Sequence, residues 1–236
     1  MHMRTDITRS LLALGCLFAA GSLSAAPVPA AAVNAAPVNA AQIAGAGNGR
    51  GAPACASCHG GAGEGNAVVG FPRLAGLPAE YLQRQLTYFA SGQRQNAMMM
   101  PIAKALSADE AQALATYYGQ MSGPAKITAL APVAAGTPVS NVGQQLANRG
   151  RWSDDVPACS QCHGEGGVGV GANFPALAGQ SSVYLANQLQ AWQKGTRDAG
   201  PMGLMGAIAK KLSDADVHAV ADYFSQQPSA SMGKKP

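Results

Sequence analysis

Apolar residues fall at helical spacing in two matching stretches of the chain. Leu82, Leu86 and Phe89 stand at i, i+4 and i+7, and Leu185, Leu189 and Trp192 repeat that spacing further along. Each set draws an apolar stripe on one helical face. Another helix is predicted downstream in each half. Ser107 followed by Glu110 is a capping-box start for a helix running to about Met121, and Ser213 with Asp216 resembles it. A first helix is expected in each half, over 41–50 and 142–149, the former glycine-rich and weak beside the latter. No apolar/polar alternation persists, so the pattern predicts an all-α chain. The one long apolar run, residues 11–23, follows Arg4 and Arg9 and precedes Ser24-Ala25-Ala26, small residues suited to cleavage before Pro27. It is shorter than the roughly 20 residues that span a bilayer, and it reads as an export signal.

The stripes belong to an internal repeat. Pro53-Ala54-Cys55 answers Pro157-Ala158-Cys159, and Phe71-Pro72 answers Phe174-Pro175. Leu74-Ala75-Gly76, Tyr81-Leu82 and Gln85-Leu86 return as Leu177-Ala178-Gly179, Tyr184-Leu185 and Gln188-Leu189. Leu106-Ser107 and Tyr117 return as Leu212-Ser213 and Tyr223. The offset drifts from 104 to 103 to 106, as small loop insertions would make it. Two homologous domains follow, at 42–122 and 141–228. A signal (1–26) and an Ala/Pro-rich spacer (27–41) precede them, a Pro-containing linker (123–140) joins them, and a polar tail (229–236) ends the chain.

Composition sharpens this picture. Of the 236 residues 47% are hydrophobic and 12% charged, and aromatics are few, with five Phe, six Tyr and two Trp. Charge-driven disorder is excluded, and a thin supply of large side chains leaves room for an apolar prosthetic group. A formal charge of +4, scattered along the chain, excludes nucleic-acid binding, which needs a basic face.

With residues 1–26 removed, four cysteines remain, all in two copies of one pattern. These are Cys55-Ala-Ser-Cys58-His59 and Cys159-Ser-Gln-Cys162-His163. Disulfides explain the adjacent histidines poorly, and structural zinc sites hold their cysteine pairs much closer in sequence. C-x-x-C-H is the pattern of c-type haem attachment. Two thiols two residues apart can reach the two vinyl groups on one porphyrin edge. The next residue then turns its imidazole under the iron. A carbonyl can fix the other imidazole nitrogen, and Pro72 and Pro175 are the expected acceptors. Glycines around the motifs (60–70 and 164–171) suit loops that approach a porphyrin closely.

The sixth iron ligand follows from the repeat. His218 lies inside the last predicted helix, and its counterpart is Gln112, so it reads as a solvated helical side chain. Methionine is the alternative, a soft thioether. At the local offset of 106, Met98 meets Leu204, Met100 meets Gly206 and Met202 meets Asn96; only Met99 and Met205 are methionine in both copies. His/Met ligation would leave no open position, so each iron would pass one electron and bind no substrate.

Phe71-Pro-Arg-Leu-Ala-Gly76 with Met99-Met-Pro-Ile-Ala-Lys-Ala-Leu-Ser107, and Phe174-Pro-Ala-Leu-Ala-Gly-Gln180 with Met205-Gly-Ala-Ile-Ala-Lys-Lys-Leu-Ser213, resemble the bacterial di-haem cytochrome c4 family. The resemblance covers roughly residues 42–228. It implies two tandem class I cytochrome c domains packed about an approximate twofold axis, each around one covalent haem c. It further implies a periplasmic electron carrier, loosely membrane-associated, passing electrons from a quinol-oxidising complex to a terminal haem–copper oxidase. A cytochrome subunit of a periplasmic dehydrogenase oxidising sulfide or alcohols is the alternative, and a di-haem peroxidase a more distant one. Without the signal the chain carries a net +3, which two ferric haems with ionised propionates bring near neutrality. Docking through apolar surface is therefore expected.

Overall fold

A computed structural model describes residues 38–122, 141–200 and 202–228, which fall within one compact unit. The expected signal, residues 27–37 of the spacer, the linker and the tail lie outside the described residues. The first repeat contains α1 (Ala40–Ala46), α2 (Ala56–His59), α3 (Ala79–Ser91), α4 (Met99–Lys104) and α5 (Ala108–Gln120). The second contains α6 (Val142–Asn148), α7 (Cys159–His163), α8 (Ser182–Gln193), α9 (Leu204–Ala209) and α10 (Asp214–Gln226). Among the described residues strand pairing is confined to isolated bridges, so the chain is all-α.

Local chemistry sets the helix ends. At α5 the Ser107 hydroxyl accepts from the Glu110 N–H at 3.1 Å while Glu110 accepts from the Ser107 N–H at 2.9 Å. At α10 Ser213 and Asp216 exchange the same pair of bonds at 3.1 and 2.9 Å. In both repeats an arginine from the loop after the first helix lands on that carboxylate: Arg50 on Glu110 at 2.6 Å and Arg151 on Asp216 at 3.0 Å. Helix α1 stops at Ala46, short of the expected residue 50. Gly47 leaves the helix at φ 81°, and the Asn48 side chain then accepts from the Arg50 and Ala52 N–H groups, which builds a turn.

Each repeat buries its own core. Ile43, Leu77, Leu82, Leu114 and Tyr118 form one, and Leu146, Leu185, Val217, Val220 and Phe224 the other. Helix α6 crosses α10 at Gly143, where a Cβ would press on the backbone of Ala219 and stand 3.0 Å from the Tyr223 Cβ. The expected stripe on α3 is only partly the buried face. Leu82 and Phe89 are buried and Leu86 is half-buried, while polar Gln85 is buried between them. The second repeat covers that side of the helix.

The two repeats meet through matched polar side chains. Arg94 donates to Gln85 at 2.9 Å in its own repeat, and to Tyr184 at 2.8 Å and Gln188 at 2.6 Å across the interface. Its counterpart Arg197 donates to Gln188 at 3.0 Å, and across to Gln85 at 3.1 Å and Tyr81 at 3.3 Å. Backbone bonds from Gln95 to Thr196 and from Asp198 to Gln93 close the pairing. The contact is thus close to twofold symmetric, with Tyr, Gln and Arg reading the same from either side.

Candidate functional site

Both C-x-x-C-H motifs form a single helical turn, α2 and α7, ending at the histidine. Gly60 and Gly164 then leave the helix at φ 81° and 77°, and the chain doubles back: the His59 carbonyl accepts from the Gly65 N–H and the His163 carbonyl from the Gly169 N–H, each at 2.7 Å. This return brings Phe71-Pro72 and Phe174-Pro175 over the imidazoles. The His59 Nδ1 lies 2.9 Å from the Pro72 carbonyl oxygen and the His163 Nδ1 lies 2.8 Å from that of Pro175. These are the acceptors expected from the sequence. An Nδ1–H donor fixes the tautomer and leaves Nε2 with its lone pair free for a metal.

Burial holds both imidazoles below the ordinary histidine value, against the opposing pull of the proline carbonyls. The neutral ring is the ligand form. Phe71 and Phe174 stand beside the rings at centroid distances of 6.3 and 6.1 Å. Among the described residues the four motif cysteines form no disulfide. Burial pushes Cys55 up and Cys159 up to about 12, so these are un-ionised sulfurs facing an apolar interior. Four thiols in two pairs, each pair followed by an oriented, neutral imidazole, fit thioether attachment of a haem and a nitrogen ligand to its iron.

The loop behind each motif is held open by a second glycine. Gly63 and Gly167, at φ 68° and 78°, each accept two backbone N–H groups, from Leu74 and Ala75 and from Leu177 and Ala178. A Cβ at Gly63 would lie 2.8 Å from the Tyr118 ring, and one at Gly167 would lie 2.6 Å from the Phe224 ring. Glycine is required there by backbone conformation and by space together.

Met99 opens α4 and Met205 is the second residue of α9; both are half-buried. Asn96 accepts from the Met98 and Met99 N–H groups and so sets where α4 begins. Met98 and Met202 project outward, at 54% and 76% exposure, which separates them from Met99 and Met205. Met100 is also half-buried. Ala103 and Ala209, four residues beyond each candidate, are both buried, so the offset of 106 holds in space as well as in sequence. His218 is exposed on α10.

Sequence reasoning missed the buried arginines. Arg94 and Arg197 are 5% and 7% exposed, and among the described residues neither meets a carboxylate. Their partners are neutral amides and phenols. The signal was available: the pair lies at the repeat offset of 103, as do Tyr81/Tyr184 and Gln85/Gln188.

Comparison with known proteins adds to the geometry. Residues 141–228 match the family described as cytochrome c, and residues 44–117 match the one described as cytochrome c oxidase, cbb3-type, subunit III. The chain is 49% identical over 177 residues to the thiosulfate dehydrogenase electron acceptor of Thiomonas intermedia, covering 75% of this chain and 80% of that one. Its structure resembles reduced cytochrome c4 from Pseudomonas stutzeri with a TM-score of 0.63 at 31% identity, covering 73% of this chain and 93% of that one. It also resembles a thiosulfate dehydrogenase from Marichromatium purpuratum with a TM-score of 0.72 at 40% identity, over 83% of this chain and 41% of that longer one.

Proposed function

The chain belongs to the cytochrome c4-like di-haem cytochromes, electron carriers with two covalently bound haem c groups, and from that premise we propose that it is the electron acceptor of a periplasmic thiosulfate dehydrogenase. The observation that carries this reading is the 49% identity to proteins bearing that role in two organisms, together with a solved thiosulfate dehydrogenase chain that contains a region of this fold. The relatives named cytochrome c4 are less similar and their names specify no partner. The dehydrogenase reading therefore displaces the expected transfer from a quinol-oxidising complex to a terminal oxidase. Periplasmic residence is supported by the export pattern in residues 1–26. Among the described residues no helix is long and apolar enough to cross a membrane.

When bound, haem iron supplies a one-electron ferric/ferrous couple at each site. Cys55 and Cys58, and Cys159 and Cys162, would hold the porphyrins through thioethers. His59 and His163 would each offer the iron a nitrogen ligand, and Met99 and Met205 a sulfur ligand. The Pro72 and Pro175 carbonyls keep each imidazole in one orientation and one tautomer. The paired Arg, Gln and Tyr side chains hold the two sites in one body.

The test is to mix the oxidised holoprotein with a thiosulfate dehydrogenase and thiosulfate and to follow haem reduction optically. Reduction of both haems, dependent on enzyme and on substrate, is the expected result. A protein that stays oxidised with that enzyme but is reduced by a quinol-oxidising complex would refute the assignment.

A further inference from the structure

The near-twofold interface breaks its symmetry at two neighbouring positions. At the offset of 103 that relates Tyr81 to Tyr184 and Arg94 to Arg197, Arg73 corresponds to Ala176 and Leu77 to Gln180. Arg73 is 2% exposed, and its guanidinium donates to the Ala75 carbonyl at 2.6 Å and to the Ala178 carbonyl at 3.1 Å. Those two carbonyls are themselves equivalent at the offset of 103, so the guanidinium bridges matching backbone positions of the two halves. A second arginine at position 176 would compete for the same place.

Gln180, 3% exposed, is not shared in that way. Its Oε1 accepts from the Arg73 N–H at 2.9 Å and its Nε2 donates to the Arg73 carbonyl at 3.1 Å. The Arg73 nitrogen belongs to the same peptide unit as the Pro72 carbonyl that faces the His59 Nδ1 at 2.9 Å. A continuous chain of hydrogen bonds thus runs from the second repeat, through one peptide, to the imidazole of the first. On the opposite side the Pro175 carbonyl faces His163, but among the described residues the Ala176 N–H meets no acceptor, and Ala176 packs against the apolar cluster that contains Leu77.

We propose that Gln180 is a positioning residue that acts through the Pro72–Arg73 peptide and lowers the reduction potential of the haem at His59 relative to that of the haem at His163. The inference rests on the two histidines as axial ligands and is independent of which protein donates the electrons. Accepting a bond at the peptide nitrogen polarises the amide and makes its oxygen a stronger acceptor, since hydrogen bonds in a chain reinforce one another. A stronger acceptor at Nδ1 raises the basicity of the ligating nitrogen. A more basic ligand favours ferric over ferrous iron. The lengths of the two histidine bonds are nearly equal, so the difference lies in the acceptor and not in the distance.

The experiment is a potentiometric titration of the holoprotein followed by NMR. The two haems are assigned through the Phe71 and Phe174 rings beside their histidines. Gln180→Leu, which reproduces Leu77, raises the His59 midpoint relative to the other by about threefold in the exchange equilibrium, roughly half of the 59 mV per tenfold of a one-electron couple. Leu77→Gln, which offers Ala176 the missing acceptor, lowers the His163 midpoint and narrows the gap. Because Gln180→Leu strips two buried backbone groups of partners, Leu77→Gln stands as the test that leaves those groups intact. Equal movement of both midpoints in either variant would overturn the assignment.

Discussion

Asp216 offers the sharpest test of how the second repeat is held together. It is 6% exposed, caps α10 and takes two bonds from the Arg151 guanidinium, each at 3.0 Å. The Arg151 guanidinium, then the Ser213 backbone and hydroxyl, pull its carboxyl from 3.8 down to about 2 against the cost of burial. At ~1.36 kcal/mol per unit this is worth about 2 kcal/mol. Arg151 is one-third exposed, and water screening reduces the figure to about 1–2 kcal/mol. Because the folded-state value lies below the unfolded one, the contribution is complete above pH 3.8 and is lost as the pH falls toward 2. Asp216→Asn keeps an oxygen for the Ser213 N–H but removes the charge. Urea unfolding of the holoprotein, followed by far-ultraviolet circular dichroism, should show the variant less stable by about 1–2 kcal/mol at pH 7. The two proteins should converge near pH 2. Acid effects on the haem ligands are common to both proteins and cancel in the difference. A gap of the same size at both ends of the range, or none at neutral pH, would refute the reasoning.

Met99→Ala and Met205→Ala should each abolish about half of the far-red sulfur-to-iron absorption of the oxidised protein, whereas Met98→Ala, at an exposed position, should leave it intact. Gly143→Ala forces a methyl onto the Ala219 backbone at the crossing of α6 and α10 and should cost about 1–3 kcal/mol in urea unfolding. Gly45→Ala, on an open face of α1, should add about 0.5–1 kcal/mol. Apolar Val68 and Val69 are 87% and 56% exposed beside the first motif, and the holoprotein is near neutral. Stopped-flow reduction by its donor enzyme should therefore change little with ionic strength, and Val69→Asp should slow it.

What could be read in the sequence was local chemistry. Five consecutive residues, Cys55 to His59, contain their own reason for being together, and so do Cys159 to His163. The capping boxes at Ser107 and Ser213 were legible for the same cause, because three residues suffice to satisfy their bonds. The end of α1 was not, since Gly47 and Asn48 had to be weighed against an otherwise helical run. Interface residues escaped for a different reason. The repeat reveals that Gln85 and Gln188 are equivalent, but equivalence does not say whether a side chain packs within its own half or against the other. Only folding brings Arg94 to Tyr184, across 90 residues of sequence, or Arg73 to Gln180, across 107.

That interface decides how the two sites work as a pair. Apolar faces tolerate sliding, because any apolar contact replaces another at small cost. Here the contact includes directed bonds among buried and half-buried groups, with Arg94, Arg197, Gln85 and Gln188 each bonded across or toward the other half. Displacing one repeat by a few ångströms would leave several buried donors and acceptors unpaired, at about 1–3 kcal/mol apiece. The separation of the two motifs is therefore fixed by side-chain chemistry within the folded unit. Transfer between the sites then needs no hinge. The electron's direction is left to the ligand environments, and these differ at the Pro72–Arg73 peptide.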